Sequence, residues 1–336
     1  MNIWIVWAAG AVGKELLPLL EKRGFPVSEL RLFGSENSAG RESQTPYGSR
    51  VIQLLSDENI HWLDAMFFAA SSDVSRDWCP RAAKQWILCV DKSSAFRSNP
   101  DIPLVVPEVN GESIRHDDLI ISSPNCTATI GALVLWPIHK EFWLRRVLTS
   151  TYQAASGAGQ PAMEELIAAT RARLAGEAFI PQQFDHDLAF NLFPHIGNFL
   201  DNGYTDEEMK FTNELRRILG LPHLPIDCTS VRVPILRAHS EDITVETEQP
   251  FVTQQVQDLL SQSAGVVLVD NPEEKCYPMP SAVTGKYGVA VGRVRQSFSF
   301  DGHGGKMFVS GDQLLKGAAL NGLQILEYVY HQRIRA

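Results

Sequence analysis

The first third of the chain alternates short, unbroken apolar runs with amphipathic stretches. Ile3 to Trp7 is continuously apolar and predicts a central strand buried on both faces. Lys14 to Lys22 then sets Leu16, Leu17, Leu19 and Leu20 at helical spacing, with Gly10, Ala11, Val12 and Gly13 between strand and helix. Strand, glycine turn and helix form the first unit of a dinucleotide-binding fold, in which N–H groups at the helix start take up a pyrophosphate. Further strands are predicted at Glu29 to Phe33, Met66 to Ala70 and Ile87 to Val90, with a helix over Asp73 to Lys84. Leu119 to Ile121 is a short β-branched run that Pro124 ends, and an apolar helical segment follows from Ile130 to Ile138.

Beyond that point the pattern changes. Val147 to Gln153 alternates as a strand, Ala154 to Gly159 is small and flexible, and Met163 to Ala175 is an amphipathic helix. Asn191 to Phe199 reads as irregular, and Thr205 to Leu219 as a helix opened by a capping box of Thr205 and Glu208. Ser230 to Leu236 and Glu241 to Thr247 alternate strongly and are expected to pair with each other. Lys316 to Tyr330 has helical periodicity. The expected fold is α/β: an N-terminal Rossmann-like domain over residues 1–126, an α+β catalytic and dimerisation domain over 127–315, and a C-terminal helix over 316–336 that returns to the first domain.

Composition narrows the partners. At 336 residues, 44% hydrophobic and 21% charged, the chain reads as globular and long enough for two domains. A net charge of −9 argues against nucleic acid or an anionic membrane as partner. The five cysteines are scattered, odd in number and without a C-x-x-C pair, so neither a structural metal nor a disulfide framework is expected, and a reducing cytoplasm fits best. The N-terminus lacks a basic signal region, and Ile130 to Ile138 is too short to span a bilayer.

One cysteine stands apart. Cys126 falls where a strand stops and a helix begins, so the helix dipole and unpaired N–H groups there favour its thiolate. At the end of the second strand, Ser35, Ser38 and Arg41 suit a 2′-phosphate whereas Glu36 suits a ribose hydroxyl. Arg97, just past a strand end, suits an anion clamp. Spacing alone makes Glu207 and Lys210 an exposed helical pair and His239 a surface histidine near a strand end.

Taken together, Ser123-Pro-Asn-Cys-Thr127, Tyr152-Gln-Ala-Ala-Ser-Gly-Ala-Gly159, Ala189-Phe-Asn191 with Pro194-His-Ile196, Arg232-Val-Pro-Ile235 with His239, and Lys316-Gly-Ala-Ala-Leu-Asn321 resemble the aspartate-semialdehyde dehydrogenases from first strand to last helix. The resemblance implies NADPH-dependent reductive dephosphorylation of L-aspartyl 4-phosphate to L-aspartate 4-semialdehyde by a homodimer. It implies Cys126 as nucleophile, His239 as acid/base with an ordinary imidazole pKa, and Gln153 as the residue that orients substrate. It further implies Arg232 at the substrate carboxylate, Glu207 at its amine, and Arg97, Asn125 and Lys210 at phosphate. Gly10, Ala11, Val12, Gly13, Ser35, Asn37, Ser38, Ser156, Gly157 and Gln313 match cofactor positions, with NADP as the implied cofactor.

Departures from the family pattern gather in the cofactor half. Trp7 replaces the first glycine of the turn, Asn37 stands where an arginine commonly meets the 2′-phosphate, Lys92 replaces an asparagine, and Ala238 replaces a glycine. Trp7 is expected to push the turn outward and weaken phosphate binding. Two alternatives stay open at this stage: an N-acetyl-glutamyl-phosphate reductase, and a non-catalytic homologue that binds nucleotide poorly.

Overall fold

In the computed structural model, which describes residues 1–61 and 63–335, the opening apolar run becomes β1 (Asn2–Val6), with Ile3, Trp4 and Ile5 fully buried. It is followed by α1 (Ala11–Lys22), β2 (Glu29–Gly34), β3 (Glu42–Thr45), β4 (Gly48–Leu54) and β5 (Ala65–Phe68). Then come α2 (Ser72–Ala83), β6 (Leu88–Asp91), the one-turn α3 (Pro107–Asn110) and β7 (Ile120–Ser122). The sheet order is β3-β4-β2-β1-β5-β6-β7, parallel except for the β3–β4 hairpin. That hairpin escapes the sequence reading because its strands lie at the sheet edge and leave most side chains in water, so no strong apolar alternation marks them.

The chain divides into two units. One is Met1–Asn125 with the C-terminal segment that starts at Ala318, and the other is Cys126–Gly317. The second unit opens with α4 (Cys126–Phe142) and continues with β8 (Leu144–Gln153), α5 (Gln160–Ala175), α6 (Asp206–Ile218), β9 (Ile226–Arg232) and β10 (His239–Thr247). It ends with α7 (Thr253–Ser261), β11 (Val266–Leu268), α8 (Pro280–Val283), β12 (Val289–Gln296) and β13 (Gly304–Gly311). Its six-stranded sheet has the order β11-β12-β13-β10-β8-β9.

The expected pairing of β9 with β10 does not form. β8 lies between them, antiparallel to β10 and parallel to β9. Alternation tells which side chains face inward but not which strand is the neighbour. α4 and α6 pack against this sheet and against each other, and Phe211 between them is fully buried. The predicted capping box is present: Glu208 N–H donates to the Thr205 hydroxyl at 3.3 Å, and Thr205 N–H donates to the Glu208 carboxylate at 2.7 Å.

After a wide helical turn at Leu315–Ala319, α9 (Leu320–Arg335) packs on α1, α3 and β6 of the first unit. Asn321 anchors it by donating to the Val105 carbonyl at 2.9 Å and to the Ser123 hydroxyl at 3.0 Å. Among the described residues, no helix is long and apolar enough to cross a membrane.

Candidate active site

The turn after β1 closes with a tryptophan in it. Trp7 has φ 68°, its N–H donates to Phe33 O at 2.8 Å, and its carbonyl accepts from Gly10 N–H at 3.0 Å. This left-handed conformation is free for glycine and costs about 1–2 kcal/mol for other residues. The backbone hydrogen bonds hold it nonetheless, so the turn closes with a large side chain in the place of a glycine. At Gly13 an added Cβ would stand 2.6–2.7 Å from backbone atoms of Trp7 and Ala8, so only glycine lets the helix start this close to the strand.

Trp7 packs on the apolar cluster that includes Phe33 and Met66. It also lines a cavity of about 410 Å³ together with Gly34, Ser35, Glu36, Asn37 and Trp78. Ser38 Oγ donates to the Ser35 carbonyl at 3.0 Å, which sets the loop at the cavity mouth. A glycine cradle, the first-turn N–H groups of α1 and a cavity beyond β1 and β2 fit a dinucleotide.

Further along the same sheet, Asp91 is fully buried and accepts from Ser75 Oγ at 2.7 Å and from Ser93 N–H and Oγ at 3.0 and 2.8 Å. Arg97 donates to the Lys92 carbonyl at 2.6 Å, and the Lys92 ammonium donates to the Pro124 carbonyl. Lys92, in the place of an asparagine, therefore ties the Arg97 loop to the peptide that leads into Asn125.

In the second unit the strand ends bring the remaining predicted residues together. Gln153 and Arg232 are direct register partners at the ends of β8 and β9. Ser240 opposes Tyr152 and His239 opposes Gly311, so His239 falls in that same row and on the same face. All three side chains are buried. Gln153 is oriented on both sides: Thr151 Oγ1 donates to its Oε1 at 3.0 Å, and its Nε2 donates to Glu207 at 3.1 Å.

Glu207 is only 9% exposed, which corrects the reading of an exposed pair with Lys210. Lys210 approaches Glu207 at 3.6 Å and Asp206 at 2.9 Å. The sequence spacing was right, but the packing of α6 on β9 removes Glu207 from water. Arg232 donates to the Ala154 carbonyl at 2.7 Å; burial pulls its pKa down, while the charges of Glu207 and Cys126 hold it up.

His239 is fully buried, with Nδ1 accepting from Ala154 N–H at 3.0 Å. Burial first, and then the Arg232 charge, push its pKa down to about 3, with the Ala238 carbonyl opposing only in part. This corrects both the surface placement and the ordinary pKa. The turn before it is held by neighbours: Ala238, at φ 75°, donates its N–H to Gln313 Oε1 at 2.8 Å, and Gln313 Nε2 donates to Ser156 Oγ. A Cβ on Gly157 would stand 3.2 Å from both Arg232 Nη1 and His239 Nε2. Ser156, Gly157 and Gln313 thus gather at the histidine turn.

α4 begins at Cys126, so its thiol sits at the positive end of the helix. A Cβ on Gly317 would stand 2.9 Å from Cys126 Cβ. Cys126 is partly exposed, whereas burial drives the pKa of Cys228 up and keeps it a thiol. Among the described residues no cysteine is disulfide-bonded.

Sequence reasoning missed Thr151, Gly317 and Glu241. Glu241 is fully buried two residues after His239, with neither carboxylate oxygen hydrogen-bonded among the described residues. Its only signal was an inward position on an alternating strand. Burial raises its pKa well above the carboxylate range, so the folded protein keeps a proton that the unfolded chain releases above about pH 4.5. That linkage erodes stability as pH rises toward the folded pKa. Glu241→Gln is therefore expected to raise Tm by about 2–4 °C at pH 8 with a smaller gain at pH 5; equal shifts at both pH values would contradict a protonated Glu241.

Comparison with known proteins accounts for this arrangement. Residues 2–117 match the semialdehyde dehydrogenase NAD-binding domain, and residues 135–316 match the semialdehyde dehydrogenase dimerisation domain. The chain is 41% identical to an aspartate-semialdehyde dehydrogenase of Prochlorococcus marinus, covering 97% of this chain and 95% of that one. It is 40% identical to the Aquifex aeolicus enzyme, covering 97% of each. The structure of aspartate semialdehyde dehydrogenase II from Vibrio cholerae, complexed with ASA, superposes with a TM-score of 0.95 at 37% identity over 98% of both chains. With a nucleotide-binding unit, a matching dimerisation domain and relatives of this identity over nearly its whole length, the chain belongs to the aspartate-semialdehyde dehydrogenase family.

Proposed function

We propose that this protein is a homodimeric enzyme that converts L-aspartyl 4-phosphate to L-aspartate 4-semialdehyde, with release of phosphate, in the biosynthesis of lysine, threonine and methionine. The observation that carries this reading is the row of Gln153, Arg232 and His239 at adjacent strand ends, with buried Glu207 hydrogen-bonded to Gln153. A substrate with a carboxylate, an ammonium and an acyl phosphate calls for a guanidinium, a carboxylate and a nucleophile. Arg232 takes the substrate carboxylate, Glu207 the amine, and Arg97, Asn125 and Lys210 the phosphate oxygens. Cys126 attacks the acyl carbon, the C–O bond to phosphate breaks, and an acyl-thioester forms. Buried Glu207 also favours a free ammonium over a blocked amine, which argues against the N-acetyl-glutamyl-phosphate reductase alternative.

The nicotinamide cofactor, when bound, supplies the hydride. We assign NADP, held by Gly10 to Gly13, Ser35, Asn37 and Ser38, with Ser156, Gly157 and Gln313 at the nicotinamide end. The hydroxyls of Ser35 and Ser38 support a 2′-phosphate, although the lining of the cavity also includes Glu36. Because Trp7 and Trp78 line that cavity, NADP is expected to quench tryptophan fluorescence, and Trp7→Phe or Trp78→Phe is expected to remove part of the quench. Unchanged amplitude in both variants would place the nucleotide elsewhere, and the ratio of NADP to NAD dissociation constants by calorimetry decides the preference. The scattered, odd-numbered cysteines support a reducing cytoplasm.

An assay with aspartate semialdehyde, phosphate and NADP tests the reading. NADPH formation that needs all three is expected, and no turnover with any nicotinamide cofactor would overturn it.

A further inference from the structure

We infer that Asp312 is a positioning residue of the reaction: through Arg237 its buried carboxylate ties the turn that leads into His239 to the turn that packs on Cys126. This rests on the reaction proposed above and adds to it a residue that acts through its neighbours.

Asp312 follows directly on β13 and is fully buried. Its Oδ2 accepts from Arg237 Nε at 2.8 Å and from Gly285 N–H at 2.7 Å, and its Oδ1 accepts from Leu314 N–H at 3.0 Å and Leu315 N–H at 3.3 Å. A carboxylate offers about four acceptor positions, so this one is filled. With one donor a guanidinium and the rest backbone, the bonds are charge-assisted and make Asp312 a fixed point of the second unit.

The two oxygens serve different segments. β10 and β13 pair from His239 opposite Gly311 onward, so Arg237 and Ala238 lie beyond the end of the ladder. Ala238 also sits at φ 75°, a left-handed conformation that a Cβ resists. Side chains from the end of β13 hold this turn instead, Asp312 through Arg237 Nε and Gln313 through Ala238 N–H at 2.8 Å. On the other side, the Leu314 and Leu315 bonds bend the chain into the wide turn, and the Asp312 carbonyl accepts from Gly317 N–H at 3.2 Å. A Cβ on Gly317 would stand 2.9 Å from Cys126 Cβ and 3.3 Å from Gln313 Cβ, so this turn is the wall beside the nucleophile.

The residues assigned to substrate recognition are held by other means. The β8–β9 register fixes Gln153 and Arg232, and their side chains are tied to Glu207 and the Ala154 carbonyl. The His239 ring keeps its bond from Ala154 N–H. Loosening the clamp therefore shifts the backbone that carries the histidine and spares the carboxylate site. Misplacement by about 1 Å can cost on the order of a hundredfold in rate.

Arg237 gives a variant that spares the core, since its side chain is 22% exposed whereas that of Asp312 is wholly buried. In the full chain assayed with aspartate semialdehyde, phosphate and NADP, R237Q is expected to lose roughly 10–10²-fold in kcat with KM for aspartate semialdehyde within about twofold of wild type. R237K keeps a cation for the carboxylate and is expected to recover most of kcat. Because D312N cuts the same bond, the D312N/R237Q pair is expected to lose no more than D312N alone. Deuterium exchange is expected to speed up in R237Q at peptides covering Ala238 while β8 and β9 stay protected. An unchanged kcat, a loss that R237K does not relieve, multiplied losses in the double variant, or exchange that rises uniformly along the chain would overturn the inference. If D312N does not fold, R237Q and R237K decide the matter by the same readings. Should the wild-type chain show no turnover, the proposed reaction fails, while exchange at Ala238 still decides whether the clamp holds the turn.

Discussion

Cys126→Ser is expected to lower kcat by roughly 10³–10⁶-fold while the protein stays folded. The hydroxyl is nearly isosteric with the thiol, and a Cβ on Gly317 would already crowd Cys126 Cβ at 2.9 Å, so the small residue suits the packing. What is lost is ionisation. At the start of α4, and electrostatically coupled to Arg232, a thiol yields an anion far more readily than an alcohol does. The expected record is an unchanged Tm and unchanged NADP affinity with no acyl-enzyme detectable by mass spectrometry. Appreciable turnover in the serine variant would sink the covalent mechanism.

Arg232→Lys should raise KM for aspartate semialdehyde by roughly 10²-fold, with a smaller change in kcat. Lysine keeps the charge but loses the planar fork that pairs with a carboxylate. The fork is already placed, because Nη1 donates to the Ala154 carbonyl at 2.7 Å and the Gln153–Arg232 register holds the residue at the strand end. Arg232→Met goes further, since it removes the charge as well as the fork, while Glu207 keeps Lys210 at 3.6 Å. The lysine variant therefore separates recognition from stability. If Tm fell and KM did not move, Arg232 would be a structural cation and its assignment to the substrate carboxylate would be wrong.

Local information carried the sequence reading a long way. Continuous apolar residues from Ile3, glycines at 10 and 13, and four leucines at helical spacing describe β1 and α1 because chain period and backbone freedom are properties of neighbouring residues. The helix start at Cys126 and the capping box at Thr205 are legible for the same reason: each is a signal within a few residues. The resemblance of five short segments then named the residues that needed explaining.

What those residues experience was set by the tertiary structure. β8 separates β9 from β10, and only that order puts Gln153, Arg232 and His239 in one row. Glu207 and Glu241 sit on elements of ordinary pattern, yet helices packed on the sheet take both out of water. The depressed pKa of His239 depends on burial and on the guanidinium of a strand two places away, and its ring is held by a backbone N–H distant in sequence. By itself, then, the sequence determined where strands, helices and the reactive cysteine lie, since those follow from local period and punctuation. The tertiary structure decided strand neighbours, exclusion of water and protonation, because each of these is a sum over groups that the chain brings together only when it folds.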